Sequence, residues 1–164
     1  MTRIRRALAG ALTFAFIASG CGAGDDASRL PDVDLPTVDA TASIDLGALT
    51  GPAVVNLWAT YCAPCRREIP DFETVHREVA DTVRFIGVNI GDTPEQIAEY
   101  LSSLDDPAVT YEQVVDLMAD VPDALGTITL PVTVFLDAAG DIVEVHDGPL
   151  EAEELRDRIA TLGA

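Results

Sequence analysis

The chain has no lysine. Its ten basic residues are all arginines, set against 28 acids, and the formal net charge is −18 over 164 residues. No basic surface is available to neutralise phosphates, which excludes nucleic acid as a partner. The same acidity repels anionic lipid headgroups and favours solubility. Histidine is almost absent as well: His76 and His146 stand far apart and read as surface residues. There is no nucleotide-binding motif, no internal repeat and no low-complexity segment. The apolar stretch at residues 7–17 is only 11 residues long, short of the roughly 20 that a helix needs to cross a bilayer. What remains is 48% hydrophobic, too much for a disordered chain and enough for one domain with a real core.

Cysteine is present three times, at positions 21, 62 and 65. Arg3, Arg5 and Arg6 precede the short apolar stretch, and Ala18-Ser19-Gly20-Cys21 follows it. That order resembles a bacterial lipobox, with Ala18 where leucine is usual, so residues 1–20 read as a lipoprotein signal peptide and Cys21 as the lipidated residue. An ordinary cleaved signal peptide and an uncut short membrane anchor remain open alternatives. Lipidation of Cys21 would account for the odd cysteine in an exported protein and leave the other two as a pair. Residues 21–30 are small and acidic and read as a flexible tether, with the domain proper over 31–164.

The pair lies in Trp58-Ala59-Thr60-Tyr61-Cys62-Ala63-Pro64-Cys65. An apolar strand over residues 53–58 delivers the chain to a turn, and a helix pattern over 62–80 begins at the first cysteine. Backbone N–H groups at a helix N-terminus stabilise a thiolate, so the Cys62 thiol pKa should be depressed. Cys65, one turn on, can close a disulfide with it, and Pro64 suits the first turn, where its missing N–H costs nothing. Half a zinc site is the competing reading, but a structural site needs four ligands and no second Cys/His pair exists.

Around this motif, residues 31–36 and 38–46 alternate apolar and polar and predict an edge hairpin containing prolines. Ile69, Phe72, Val75 and Val79 share one face of the first helix, which Pro70 should kink. Strands are predicted at 83–90, 109–115, 132–136 and 142–146, and helices at 93–104, 120–125 and 150–162, with Thr93 capping and Gly126 terminating. The order predicts parallel pairing early, an antiparallel hairpin late, and an α/β domain with a mixed central sheet and helices on both faces.

Val55 to Cys65 as written above, Glu68-Ile69-Pro70, Gly87-Val88-Asn89 and Leu130-Pro131 before the strand at 132–136 resemble the thioredoxin superfamily, within it the membrane-anchored TlpA/ResA-type thiol-disulfide oxidoreductases. The resemblance covers residues 31–162 and implies a three-layer thioredoxin-like fold. It implies that Cys62 attacks and Cys65 resolves, that Glu68 is an active-site acid with a raised pKa, and that Pro131 is cis and faces the disulfide, excluding metal. It further implies that the Leu130 backbone pairs with an extended substrate, while Trp58, Tyr61, Ala63 and Pro64 form the substrate-binding surroundings. Asn56 stands where many thioredoxins carry a buried aspartate and can only hydrogen-bond. Tyr61 departs from the usual tryptophan. Arg66 and Arg67, in the first turn of the helix, read as solvent-facing, with a raised positive potential near Cys62 as the alternative.

The implied activity is an extracytoplasmic, lipid-anchored oxidoreductase without cofactor or metal, expected as a monomer. It would act on cysteine-containing exported proteins and exchange electrons with a membrane partner. The family favours a reductant, often in cytochrome c maturation. An oxidant or isomerase of exported proteins is the alternative. A peroxidase of the related peroxiredoxin type would need a threonine where Ala59 stands. A copper or haem carrier is the alternative of another class, although copper carriers of this fold space their cysteines one residue further apart.

Overall fold

The computed structural model describes residues 28–104 and 108–162. A two-stranded sheet, β1 (Asp34–Pro36) and β2 (Ser43–Asp45), precedes a five-stranded one. The larger sheet contains β3 (Ala53–Trp58), β4 (Arg84–Ile90), β5 (Glu112–Asp116), β6 (Val132–Leu136) and β7 (Ile142–Asp147), in the spatial order β5-β4-β3-β6-β7. β3 pairs parallel with β4 and β4 with β5, while β6 and β7 run antiparallel. The helices are α1 (Ala63–Val79), α2 (Pro94–Ser102), α3 (Asp120–Leu125) and α4 (Ala152–Ile159). This is the mixed, two-sided thioredoxin-like architecture expected from the sequence.

β3 is central because all six of its residues are apolar enough, or well enough bonded, to be buried on both faces. Its alternation divides the core. Val54 packs with Phe72 and Val75 of α1, Phe85, Phe135 and Leu155 of α4 on one face. Val55 and Leu57 pack on the other with Val121 of α3 and with Leu35 and Ile44 of the β1–β2 hairpin. Burying side chains of this size contributes about 1.5–3 kcal/mol each. The hairpin joins the sheet edge through a bridge between Thr37 and Val114 and a Val38 N–H donated to the Gln113 carbonyl at 3.1 Å. β7 is an outer strand whose half-exposed face carries Glu144 and His146, and the Glu144 charge discourages edge-to-edge pairing.

Of the boundaries that differ from expectation, three do so through a bond that local pattern does not show. The strand expected from residue 109 begins at Glu112, because the Thr110 N–H and hydroxyl donate to Glu73 of α1 at 2.7 and 2.6 Å. The helix expected from residue 150 begins at Ala152, because the Leu150 N–H donates to Glu68 at 3.0 Å. The expected tether is shorter at its inner end: Leu30 is buried, Arg29 donates to the Leu49 carbonyl, and Ile142 N–H donates to the Ser28 carbonyl. Residues 28–30 therefore belong to the domain. The signal segment, Cys21 and the rest of the tether lie outside the described residues.

His76 also departs from its surface reading. It is half-buried, its ring centroid 5.3 Å from Phe85 and 5.8 Å from Tyr111. His146 is half-buried on β7.

Candidate active site

Cys62 is the N-cap of α1 (φ −83°, ψ 101°), and its Sγ accepts the Cys65 N–H at 3.2 Å. One otherwise unpaired donor of the first turn is thus spent on sulfur. Pro64 falls in that turn, as expected. The two cysteines form a disulfide with Cα atoms 5.3 Å apart. Cys62 keeps 8% of its surface exposed and Cys65 none, so only the first is within reach of another molecule.

The segment ahead of the pair is anchored by a residue that the sequence did not single out. Asp92, buried after β4, accepts the Thr60 N–H at 2.6 Å, the Thr60 hydroxyl at 2.9 Å and Asn89 Nδ2 at 3.0 Å. Gly91 turns the chain just before it at φ +81°, a conformation that glycine adopts without steric cost. The clamp ties the β4–α2 turn to the loop that carries Tyr61 and Cys62.

Glu68 lies one turn beyond Cys65 and is 2% exposed. Its carboxylate accepts Asn56 Nδ2 and the Leu150 N–H, both at 3.0 Å. Burial pushes its pKa up to about 7 against the lowering effect of these two donors, with Asp71 adding to the rise. Asn56 also donates to Thr133 Oγ1 at 3.3 Å, so it bridges α1 to β6 as a neutral polar residue within β3.

Trp58 is fully buried and clusters with Cys62, Cys65, Ile69 and Ile97. Expected among the substrate-binding surroundings, it lies beneath the surface and backs the pair. Its Nε1 donates to Gln113 Oε1 at 3.0 Å. The Gln113 amide lies over Gly87, where a Cβ would come within 2.3 Å of Oε1. Gly87 belongs to a motif of the family resemblance, but Gln113 and its place over that glycine had no signal in the linear sequence, because they follow from register across three strands. Tyr61 is 71% exposed, Ala63 is exposed and Pro64 half-buried. Leu130, half-buried, packs against the cluster holding both cysteines, and the Leu130–Pro131 peptide is cis.

Pro70 removes the N–H that would bond the Arg66 carbonyl. Tyr100 of α2 donates its hydroxyl to that carbonyl at 3.3 Å, and the Arg66 guanidinium lies 5.4 Å from the Tyr100 ring centroid. The helix continues unbroken through the proline.

The AhpC/TSA family model matches residues 27–145. The chain belongs to the AhpC/TSA family. Within it, the chain is 35% identical over 108 residues to "Thiol-disulfide oxidoreductase ResA" of Halalkalibacterium halodurans, covering 65% of this chain and 60% of that relative. It is 30% identical over 132 residues to "Thiol:disulfide interchange protein DsbE" of Pseudomonas fluorescens, covering 79% of this chain and 71% of the relative. Among solved structures, MTB DsbF superposes with a TM-score of 0.73 at 27% identity, over 82% of this chain and all of that one. This AhpC/TSA chain therefore spans about 60% of the ResA relative's length. Its described domain is similar to these thiol-disulfide oxidoreductases and carries Cys62 and Cys65 as a disulfide pair.

Proposed function

We propose that the protein is an extracytoplasmic thiol-disulfide oxidoreductase, lipid-anchored through Cys21, that reduces disulfides of exported proteins. The observation that carries this reading is the Cys62–Cys65 disulfide at the N-terminus of α1, with only Cys62 reaching the surface. In the reduced protein, the Cys62 thiolate attacks one sulfur of a substrate disulfide. The substrate S–S bond breaks, and its other sulfur leaves with the electron pair and takes a proton. Cys65 then gives up its proton and attacks the Cys62 sulfur, releasing the second substrate thiol. The substrate gains two electrons and two protons, and the protein is left as the disulfide.

Glu68 is assigned as the proton carrier for Cys65. A carboxyl with a pKa of about 7 exchanges protons readily at neutral pH, and α1 places it one turn from that cysteine. Tyr61, Ala63, Pro64 and the Leu130–Pro131 segment form the docking surface, with Trp58 supporting it from below. Electrons return from a membrane partner, since the chain carries no nucleotide-binding motif. The family resemblance favours a place in cytochrome c maturation, and the oxidoreductase and interchange names of the relatives support the redox chemistry that it needs.

The deciding measurement is the reduction potential of the Cys62–Cys65 pair, by equilibration with glutathione or dithiothreitol buffers. A value near or below about −250 mV is expected of a reductant. A value near about −120 mV would make the protein an oxidant of exported proteins and end the reductant assignment.

A further inference from the structure

Seven arginines fall within the described residues, and five of them pair with carboxylates: Arg29 with Asp141, Arg77 with Glu73, Arg84 with Glu112, Arg156 with Glu78 and Arg158 with Glu144. The other two are Arg66 and Arg67, which directly follow Cys65 and are exposed. In a chain with a net charge of −18, leaving only these two cations without a carboxylate among the described residues is a local reversal of sign.

They border a surface hollow of about 410 Å³ lined by Ala63, Arg66, Arg67, Tyr100, Ser103 and Leu104. Among the described residues, no carboxylate lines it. Ala63 belongs to the redox motif itself, so the hollow adjoins the disulfide. The Arg66 guanidinium rests against the Tyr100 ring there, and its carbonyl accepts the Tyr100 hydroxyl, which biases its position toward the hollow. Arg67 stands on a ridge, since it also borders the cleft that contains Asp71, Glu151, Glu153 and Glu154. Arg66 is therefore the principal cation and Arg67 the auxiliary one.

We propose that this hollow is an anion-recognition subsite beside Cys62 that receives a carboxylate flanking the reacting sulfur of the partner protein. The inference rests on the thiol-disulfide reading and names the partner chemistry that the same site prefers: a disulfide or cysteine set in an acidic segment. The overall negative charge does not oppose this at contact. At 0.15 M salt the Debye length is about 8 Å, so distant acids are screened while a carboxylate at the guanidinium is not. Charges placed this way chiefly change the rate of productive encounter.

The test follows oxidation of the reduced protein by three small disulfides at low ionic strength. Oxidised glutathione is anionic, hydroxyethyl disulfide neutral and cystamine cationic. In each reaction the protein dithiol gives two electrons and two protons to the reagent, which leaves as two thiols. Every rate is divided by that for the neutral disulfide, which cancels any change in Cys62 thiolate. Arg66→Gln is expected to lower the anionic-to-neutral ratio about fivefold and the Arg66→Gln/Arg67→Gln double variant further, while the cationic-to-neutral ratio rises. Salt at 1 M should remove the difference between the proteins. Ratios unchanged within twofold in the double variant would overturn the subsite while leaving the oxidoreductase reading intact. Failure of wild type to exchange even with the neutral disulfide would overturn that reading and the subsite with it.

Discussion

Glu68 has two hydrogen-bond donors and, among the described residues, no ion-pair partner, so its ionisation works against burial. The folded pKa of about 7 stands above the ordinary glutamate value of 4.5. Between those two values the native state binds more protons than the unfolded chain, so stability falls as pH rises from about 4.5 to about 7 and levels off above. A shift of this size corresponds to about 3 kcal/mol. Glu68→Gln removes the titration, and urea unfolding at pH 5 and pH 8 should then give nearly equal stabilities where the wild type is weaker at pH 8. An unchanged difference between the two pH values would place the titration on another group. In the proposed mechanism the same variant slows resolution by Cys65 more than attack by Cys62, seen as accumulation of the mixed disulfide.

At the scale of elements, Glu73 ties α1 to the start of β5. It has no exposed surface, accepts two bonds from Thr110, and takes a third from Arg77 Nε at 2.6 Å. Burial raises its pKa, but the Thr110 and Arg77 bonds together outweigh this and hold the carboxyl below the usual carboxylate range. Glu73→Ala leaves the Thr110 N–H and hydroxyl and the Arg77 Nε without their acceptor and is expected to cost about 3 kcal/mol, measured by thermal unfolding. A loss under about 1 kcal/mol would mean that the β5 approach is held by packing alone.

The same element shows where reading from sequence stops. β3, α1, α3 and β6 carry their own signals: apolar runs, a cap, prolines and a terminal glycine, all within a few residues. Cys62 and Cys65 were legible for the same reason, since their spacing and helix start are local. Asp92, Gln113 and Glu73 were not, because each acts on a partner 32 to 55 residues away. Glu68 was legible only through resemblance. Its spacing puts it one turn from Cys65, but burial depends on Asn56 and Leu150, which the fold brings in from 12 and 82 residues away.

For the molecule as a whole, charge is the dominant global term. With 28 acids against ten arginines, and five ion pairs among the described residues, most carboxylates repel one another across the surface. Raising salt from 0.01 M to 1 M shortens the Debye length from about 30 Å to about 3 Å. The melting temperature in sodium chloride is therefore expected to rise by several degrees over that range. A fall would show that the ion pairs outweigh the repulsion. This lever is independent of the redox pair, so both oxidised and reduced forms should respond.

Trp58, the only tryptophan in the chain, has no exposed surface and shares its packing cluster with both redox sulfurs. A disulfide close to an excited indole quenches its fluorescence more strongly than two thiols do. The fold has thus placed its single strong emitter beside the bond that changes. The emission yield of the unlabelled protein follows the dithiol/disulfide ratio, and each turnover can be watched by light, without a reagent that competes for Cys62.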